Sequence, residues 1–551
     1  MKIDIKLRCI LPVVLGIVHA VSGGIQPRQC TIEATASCSG NYDVIIVGAG
    51  LAGIAAAAEI EKYNSLVSSP LSYCVLEASS WVGGRSIAAH WLAGGEGNPL
   101  AEALWSIPVD ANYEEQKWAD IEYYVCQKGS PPQSCKVFPV GHKKASVKMS
   151  QLNKWKQEFA SKYKCAYGYA LQNQIPSISM ADALVQCGWN EDDDGDVKSF
   201  LEWYNFDYEF GEEPDVTSIL GFPLGPYEDF QDKDWFVAHE DNSRVIAEAI
   251  AYDAGICGNI QLNTPVRSVG GTASLSTVTT EDGTTLQAAK TIVTLSVGAL
   301  ADQESSLFNP HLPATKITSM KNVFKIIEYM EIFVKFSPQT WDPKWELTQF
   351  TMVETENRGR CNLWQTYNTK WNEFFPGSKV MVCVITTETI LDLAGITGDV
   401  TDARNFIANN PDIVNGLIQN SLAKTTSNSL DCKSENPFLW DPLVDSPSNG
   451  KCGFTTYPSN EWWQGSYENW QLTGTIGDYL NFIQPEGHIH FAGTATCYRH
   501  WGYMHAAYWT GIREANKVIE LITGTPNPDP TPQFCELPSV AVGNPHTPKG
   551  I

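Results

Sequence analysis

The residues best suited to chemistry lie in the stretch YDVIIVGAGLAGIAAAAEI, which begins at Tyr42. Gly48, Gly50 and Gly53 form a G-x-G-x-x-G pattern between a β-branched run and an alanine-rich run. The first glycine permits a tight turn, the second lets a pyrophosphate approach the backbone, and the third lets the next helix lie close to the sheet. Since helix N-termini attract anions, the pattern predicts a dinucleotide site. The residues of this turn are Gly48, Ala49, Gly50, Leu51, Ala52 and Gly53.

A second group of residues narrows the choice of cofactor. Glu77 ends the next predicted strand, LSYCVLEAS, at the distance expected for an acid that binds ribose hydroxyls. The glycine pattern and this acid do not distinguish NAD from FAD. Just beyond them, Gly84 and Arg85 in EASSWVGGRS form a second glycine turn with a cation. Because this turn can reach the same pyrophosphate, it favours FAD, a long cofactor that lies across the sheet.

The elements around these motifs predict an α/β fold. A strand, the alanine-rich helix and a second strand form a βαβ unit, which is typical of a parallel sheet. We expect helices between ALVQC and FGEEPDV, and a closing helix in YMHAAYWTGIREANKVIELI. A turn at Asp282-Gly283 joins two predicted strands. The further predicted strands are IQLNTPVRSV, STVTTEDGTTLQ, KTIVTLSVGAL and HIHFAGTAT.

The net charge of −24 disfavours nucleic acid or an anionic membrane as a partner. It favours the approach of cationic small molecules, although it is equally typical of an acidic secreted protein. No cluster of metal-ligand residues has usable spacing, so we expect no metal site.

The N-terminal residues have the features of a secretory signal peptide, which we place at residues 1–22. A basic segment precedes the apolar run CILPVVLGIV, and HAVSG supplies small residues for cleavage. No later segment is long and apolar enough for a transmembrane helix. The sequence therefore predicts a secreted protein, extracellular or in the lumen of the secretory pathway, with no membrane association after processing.

The cysteines agree with export. There are 15, and removal of the one in the signal peptide leaves an even number, which is typical of an oxidising compartment. We expect disulfides between Cys30 and Cys38 and between Cys126 and Cys135, because each pair can close a small loop. The other pairings stay open, and Cys74 in a core strand could equally be a buried thiol.

The motifs GAGLAG, VLEAS…VGGR and HFAGTATCYRHWGYMHAAYWTGIREA occur in the order found in flavin-containing amine oxidases, which the chain resembles from Asp43 to Leu521. FDYEFGEEPDVTS and WWQGSYENW are most similar to plant and fungal polyamine oxidases. The resemblance implies a Rossmann-like FAD-binding domain and a mixed α+β substrate-binding domain. The implied segments are 41–104, 235–300 and 480–523 for FAD, 105–234 and 301–479 for substrate, and 524–551 as a proline-rich tail.

The resemblance also implies which residues contact the cofactor. Glu77 would bind the adenosine ribose, and Arg85 would bind the diphosphate. FAD is expected to be non-covalent, because Ser466 stands where monoamine oxidases carry a flavin-linking cysteine. Further cofactor contacts are expected from Gly84, Val266, Gly493, Thr494, Tyr503 and Met504.

For the substrate, the resemblance places Tyr467 and Tyr503 on the two aromatic positions that flank an amine before the flavin. Two facing rings present negative π-faces, which attract an amine. Phe210 and Tyr329 match wall positions of the polyamine oxidase tunnel, and Glu209 matches an acid that can hold a distal ammonium. The tyrosines could instead be core residues, and Glu209 could instead face solvent.

Three departures from the family pattern affect the substrate site. Glu331 stands where the family has a lysine near flavin N5, and Ala93 replaces a second tunnel acid. The segment from Arg85 to Trp91 is also shorter than in the family, and His90 lies in it, as a structural histidine or a new functional group.

The predicted function is therefore a secreted FAD-dependent amine oxidase. It would oxidise a C–N bond of a polyamine-like amine to an imine and reduce O2 to H2O2. Two alternatives are an FAD-dependent oxidoreductase for a specialised small metabolite and a flavin-binding protein with little activity. The natural substrate and the oligomeric state are not predicted.

Overall fold

The structure of the protein is a computed structural model. The residues it describes are 38–89, 91–92, 97–106, 112–115, 121–125, 136–139, 147–173, 178–190, 195–219, 235–238, 243–271, 275–336, 349–353, 358–366, 380–397, 400–421, 452–456, 462, 464–498, 500–532 and 534–535. The predicted signal peptide lies outside these residues, as do Cys30, His90, Ala93 and the pair Cys126 and Cys135.

The strands fall in three stretches of the chain. The first are β1 Asn41–Val47, β2 Tyr73–Leu76, β3 Trp91–Leu92, β4 Asn112–Glu115, β5 Ile121–Val125, β6 Lys136–Pro139 and β7 Trp235–Ala238. The next are β8 Ile260–Gln261, β9 Val266–Gly271, β10 Ser276–Thr280, β11 Thr285–Val293, β12 Phe308–Asn309, β13 Phe324–Ile327 and β14 Tyr329–Phe336. The last are β15 Gln349–Val353, β16 Leu363–Thr366, β17 Val380–Thr386, β18 Cys452–Thr456, β19 Tyr467–Trp470 and β20 Ile489–Phe491.

The helices alternate with these strands. The first are α1 Leu51–Leu66, α2 Pro99–Ser106, α3 Val147–Asn173, α4 Met180–Gln186, α5 Gly195–Asn205, α6 Asp207–Phe210 and α7 Arg244–Asp253. The others are α8 Val297–Leu307, α9 Ala314–Val323, α10 Thr387–Ala394, α11 Val400–Ala408, α12 Pro411–Asn420, α13 Ile476–Ile483 and α14 Met504–Thr523.

An eight-stranded sheet carries the glycine motif. Its order is β12-β9-β10-β11-β1-β2-β8, with β20 also paired to β11. The pairs of β1 with β2 and β11, of β2 with β8 and of β11 with β20 are parallel, as the βαβ pattern predicts. Most of its strands come from segments predicted to bind FAD, but β12 lies in a segment predicted for substrate. The division into two domains stays a prediction.

Strand β1 shows why this sheet is buried on both faces. Val44 and Ile46 pack into the cluster that includes α1, whereas Ile45 and Val47 pack into the cluster on the opposite side. Because side chains alternate along a strand, an unbroken apolar run fills two cores at once.

Helices α1 and α14 cross at very short backbone distance beside the sheet. A Cβ atom on Gly511 would lie 2.0 Å from the carbonyl oxygen of Ala52, and one on Gly53 would lie 1.9 Å from that of Gly48. Neither neighbour is a flexible side chain that could move away. Both glycines are therefore required by packing.

A second, mostly antiparallel sheet of seven strands has the order β18-β14-β17-β16-β15-β5-β6. One face packs on α10, α11 and α12 through the buried residues Ile332, Cys383, Ile390, Ile407 and Leu417. Strand β14 carries Tyr329 and Glu331, so this sheet forms a wall of the site described below. Two smaller antiparallel sheets join β3, β7 and β4, and β13 and β19.

Four disulfides join described residues, at Cys38–Cys74, Cys165–Cys187, Cys361–Cys383 and Cys497–Cys535. The predicted pairing of Cys38 with Cys30 is wrong, and Cys74 is not a free thiol. Cys38 lies just before β1 and Cys74 lies in β2, and the parallel pairing of these strands brings their Cα atoms to 6.1 Å. The bond to Cys535 ties the proline-rich tail to the fold.

The predicted strand KTIVTLSVGAL is correct only up to Val293, where β11 ends. Its last residues begin α8, because the hydroxyl of Ser296 caps that helix by accepting a hydrogen bond from the N–H of Ala299 at 3.1 Å. The predicted hairpin between β10 and β11 is confirmed, and Gly283 adopts the positive φ of 88° that its turn requires.

Within the part of the chain that the structure describes, no helix has both the length and the apolar character needed to cross a membrane.

Replacement of Gly511 by alanine is expected to destabilise the protein by about 1–3 kcal/mol, because the new methyl group would overlap the backbone of α1. Gly416 in α12 is the matched control, since a Cβ there meets nothing within 4 Å. Gly416→Ala should be neutral or stabilise by up to about 1 kcal/mol through helix propensity. Urea unfolding of both variants would show it, and equal effects would contradict the proposed close packing.

Acid should weaken the attachment of α14 to the sheet. Glu514 is fully buried and accepts hydrogen bonds from Arg513 at 2.7 Å and Lys517 at 2.9 Å, and it lies 3.0 Å from His490 of β20. Burial opposes ionisation, but these partners outweigh it and lower the pKa of Glu514 to about 2. Since the folded-state pKa is depressed, the stabilisation, roughly 3 kcal/mol, is present above about pH 4.5 and lost as the pH falls towards 2.

Glu514→Gln should therefore be clearly less stable than the parent near pH 6, and the gap should narrow to about half near pH 3. Urea unfolding at both pH values measures it, with Glu520→Gln at an exposed position of α14 as the control. A gap that does not change with pH would refute the role of Glu514.

Candidate active site

One cavity of about 440 Å³ joins the glycine turn to a group of tyrosines. At one end it is lined by Gly48, Gly50, Gly84, Arg85 and Glu77. At the other end the lining residues are Tyr208, Tyr329, Glu331, Tyr467 and Tyr503. Most predicted dinucleotide residues and most predicted substrate residues therefore face the same space.

The turn before α1 has the geometry of a phosphate site. Gly48 has a φ of 101°, and a Cβ there would lie 2.5 Å from the hydroxyl of Thr294. Gly50 is the N-cap of α1 and has no side chain to cap the first N–H groups of the helix. A Cβ on Gly50 would meet nothing within 4 Å, so the space above the turn is open to a ligand. These features fit a pyrophosphate at the start of α1.

Glu77 lines the cavity at the end of β2. Its carboxylate accepts hydrogen bonds from the N–H of Ala49 at 2.6 Å, and from the N–H and hydroxyl of Ser79 at 2.9 and 2.7 Å. Burial raises the pKa of Glu77, and these hydrogen bonds oppose the rise. The side chain is thus fixed beside the turn, where the prediction of a ribose contact requires it.

Arg85 links the cofactor end of the cavity to the substrate end. Its guanidinium donates to the carbonyl oxygen of Ser466 at 2.8 Å and to the hydroxyl of Thr494 at 3.5 Å. Burial lowers the pKa of Arg85, which the carboxylate of Glu468, 3.9 Å away, opposes. Glu468 also accepts a hydrogen bond from the N–H of Gly502, next to Tyr503.

The other predicted cofactor residues divide into two groups. Val266, Gly493, Thr494 and Met504 line the cavity with Leu51 and Ala52. Among the described lining residues, Ala49 and Gly53 are not present. Ala49 donates to Glu77, and Gly53 packs against the turn itself. The residues that line the cavity fit FAD; each individual contact stays a prediction.

The tyrosines form a cluster at the substrate end. The rings of Tyr329 and Tyr467 have centroids 5.8 Å apart at 48°, and those of Tyr208 and Tyr329 are 6.0 Å apart at 57°. Tyr503 is the N-cap of α14, beside Gly493 and Met504 in the cavity wall. Burial raises the pKa of Tyr208, Tyr329 and Tyr467, so their hydroxyls stay protonated.

Helix α6 carries three residues of this region. Tyr208 lines the cavity, but Glu209 and Phe210 are not among its described lining residues. Glu209 accepts hydrogen bonds from Tyr503 and Tyr467, and Phe210 packs against Trp501 with ring centroids 5.8 Å apart. Their predicted contacts with substrate stay predictions.

The charged groups at this end include one ion pair. Glu331 in β14 lines the cavity directly. Glu328 and Arg404 also line it and are bonded to each other at 2.5 Å between Oε2 and Nη1. Both are almost fully buried. Among the described lining residues at this end, the guanidinium of Arg404 is paired with Glu328, and Glu331 adds a second acidic side chain.

Sequence reasoning missed several residues of the site. Tyr208 stands inside the FDYEF motif, and Glu328 directly precedes Tyr329. Their closeness in sequence to predicted site residues could have identified both. Glu468 directly follows Tyr467 in WWQGSYENW and carried the same signal, whereas Arg404 gave no local signal, because long-range packing brings it to the site. Among described residues, no group of three or more His, Cys, Asp or Glu could hold a metal ion.

The family model for flavin containing amine oxidoreductase matches residues 223–519. Polyamine oxidase 7 from Oryza sativa subsp. japonica is 24% identical over 519 residues, covering 86% of this chain and 94% of the rice protein. Polyamine oxidase 1 from Zea mays is 23% identical over 504 residues, covering 86% of this chain and 90% of the maize protein.

Solved structures confirm the predicted α/β fold. Wild-type putrescine oxidase bound to putrescine has a TM-score of 0.62 at 16% identity, and the match covers 88% of this chain and 100% of that one. Cyclohexylamine oxidase from Brevibacterium oxydans has a TM-score of 0.58 at 17% identity, covering 88% and 99%. With a family match over more than half of its length, this chain belongs to the flavin-containing amine oxidoreductases and is an FAD-dependent oxidoreductase of that family.

Proposed function

We propose that this protein oxidises a C–N bond of a small, polyamine-like amine to an imine, with O2 as the electron acceptor and H2O2 as a product. The observation that carries the proposal is the single cavity, in which the glycine turn and the tyrosine cluster face one another. The four disulfides between described residues support action in an oxidising compartment, outside the cell or in the secretory pathway.

FAD, when bound, supplies the chemistry of hydride acceptance from the carbon next to nitrogen. Non-covalent attachment is supported by Ser466, whose hydroxyl accepts a hydrogen bond from the N–H of Tyr329 at 2.9 Å. A serine at this position offers no thiol for a flavin linkage.

The tyrosines would bind and orient the amine. Tyr467 and Tyr503 present aromatic faces that attract a cation and pack against the substrate carbon chain. A poorly hydrated aromatic site also disfavours the charged form of a bound amine and so lowers its pKa. This favours the neutral amine, whose nitrogen lone pair can assist loss of hydride from the neighbouring carbon.

The charge of the site supports an amine with a second positive group. Glu331 faces the cavity, and the charge of Arg404 is balanced by Glu328. The net charge of −24 on the whole chain would draw cations towards the protein.

A second candidate function is oxidation of a specialised metabolite that is not a polyamine. Glu331, at the position of the family lysine, favours it, because a carboxylate at this point would select a different arrangement of substrate charge. Both candidates share the cofactor and the type of reaction.

A panel of monoamines, diamines, polyamines and amino acids would test the proposal, with release of peroxide and of the carbonyl product measured for each. We expect turnover of diamines or polyamines. Turnover of a different amine only would favour the second candidate. Absence of turnover with every amine, in protein that retains FAD, would contradict both and leave a flavin-binding protein.

Because we propose non-covalent attachment, acid precipitation of the protein is expected to release FAD into solution. Separately, Arg85→Ala should weaken FAD binding at least about tenfold, or 1.4 kcal/mol, because a buried cation beside the cofactor is lost. The loss of FAD is measured as the ratio of flavin absorbance to protein concentration during dialysis. Arg267→Ala, at an exposed position next to Val266, is the control. Flavin that stays on the precipitated protein would refute non-covalent attachment. Full flavin occupancy in Arg85→Ala would refute the contact between Arg85 and FAD.

Replacement of Glu331 by lysine should raise the KM of a diamine at least about tenfold, since the cavity would lose a negative charge and gain a positive one. We also expect faster reoxidation of the reduced enzyme by oxygen. Glu331→Gln removes the negative charge without adding a positive one, so it should give a KM between those of the parent and Glu331→Lys. Steady-state and stopped-flow kinetics measure both effects, and if neither changes, Glu331 does not act on substrate or cofactor.

A further inference from the structure

We propose that helix α6 is a brace for the tyrosine cluster, and that Glu209 is a positioning residue that fixes Tyr503 and Tyr467. In this role Glu209 acts through the tyrosines and does not bind a substrate ammonium. The inference rests on the proposed function, because it assigns how that substrate site is held in shape.

The contacts of Glu209 carry the proposal. Its Oε1 accepts a hydrogen bond from the hydroxyl of Tyr503 at 2.8 Å, and its backbone carbonyl accepts one from the hydroxyl of Tyr467 at 3.1 Å. One residue therefore holds the outer ends of both rings. Tyr467 comes from β19 and Tyr503 from the start of α14, 36 residues later in the numbering, so Glu209 adds a common partner to the direct bond between Gly502 and Glu468.

The preceding residue of α6 extends the same arrangement. The ring of Tyr208 packs against that of Tyr329 with centroids 6.0 Å apart, and Tyr329 in turn packs against Tyr467. Two consecutive residues of one helical turn thus contact all three of the other tyrosines that line the cavity. The hydroxyls of Tyr467 and Tyr503 are thus directed to Glu209, while the ring of Tyr503 is stacked on that of His505 with centroids 5.4 Å apart.

The rest of α6 is anchored firmly enough to serve as a brace. Asp207 accepts two hydrogen bonds from the guanidinium of Arg358, at 3.1 and 2.9 Å, which is a strong bidentate pair. Phe210 packs against Trp501, in the loop that leads to Tyr503. The helix ends at Gly211, with a φ of 73°, and a Cβ there would lie 2.1 Å from the side chain of Ile327.

A carboxylate suits this position for a physical reason. Hydrogen bonds from a hydroxyl to an ionised acceptor are stronger than those between neutral groups. Burial and the nearby Glu209 keep the pKa of Tyr467 high, so that ring remains a donor. A side chain already committed to Tyr503 at 2.8 Å is poorly placed to be the principal partner of a substrate ammonium.

The two roles of Glu209 predict different kinetics. As a positioning residue, it should affect kcat for a diamine and for a monoamine of equal length in the same way. As an ammonium site, it should affect KM, and only for the diamine. Glutamine distinguishes them further, because its amide oxygen can still accept from Tyr503 but carries no charge.

The experiment is a double-mutant cycle in the FAD-loaded enzyme, using Glu209→Ala, Tyr503→Phe and the pair, with Glu209→Gln as the conservative variant. We expect E209A and Y503F each to lower kcat at least about fivefold for both substrates, with KM changed less than about twofold. The pair should be no worse than the worse single variant, and E209Q should recover most of the kcat lost in E209A. Glu520→Ala, at an exposed position of α14, is the control.

An increase of KM for the diamine alone in both E209A and E209Q, additive with Y503F, would overturn the proposal in favour of a substrate-binding acid. Unchanged kinetics in E209A or Y503F would overturn it too. If E209A fails to fold, Y503F and E209Q still decide, because Y503F breaks the same bond without altering α6.

A second readout needs no turnover. Thermal unfolding of the parent, E209A, Y503F and the double variant should show coupling between Glu209 and Tyr503. The double variant should be destabilised by less than the sum of the two single variants. Additive shifts would contradict the hydrogen bond. If the parent enzyme oxidises no amine, the proposed function fails, while this cycle still reports on the brace.

Discussion

Close approach of backbone at residues 48–53 is the constraint on which the rest of the site depends. The carbonyl of Gly48 lies where a side chain on Gly53 would be, and that of Ala52 lies where one on Gly511 would be. The loop with Arg85 also joins the turn, because the N–H of Gly83 donates to the carbonyl of Ala49 at 2.8 Å. Three distant segments therefore meet around one turn, and this sets the position of Arg85 and of helix α14.

The start of α14 connects the two halves of the chemistry. Tyr503 is the N-cap of this helix and lines the cavity, and its hydroxyl donates to Glu209 on α6. Helix α6 in turn contacts Tyr467 and Tyr329, which stand on different sheets. The cofactor end is thus built by backbone packing, whereas the substrate end is built by side-chain hydrogen bonds.

The sequence predicted the parts of the protein that depend on local pattern. The turn at Gly48 and the strand before it follow from residue type and spacing, and the tyrosines follow from motifs. The Cys38–Cys74 bond was not predicted, because it depends on which strands become neighbours in the sheet. The pairing of Glu209 with Tyr503 was missed for the same reason. Both contacts join segments that only the folded chain brings together.

The central claim is that substrate and FAD share one cavity, with the amine held by the tyrosines next to the flavin. Anaerobic titration of the FAD-loaded enzyme with a diamine, followed by visible absorbance, tests this most directly. The account predicts loss of the oxidised flavin spectrum, with one diamine consumed per flavin. An unchanged spectrum with an amine that calorimetry shows to be bound would contradict it, because binding would then occur away from the flavin.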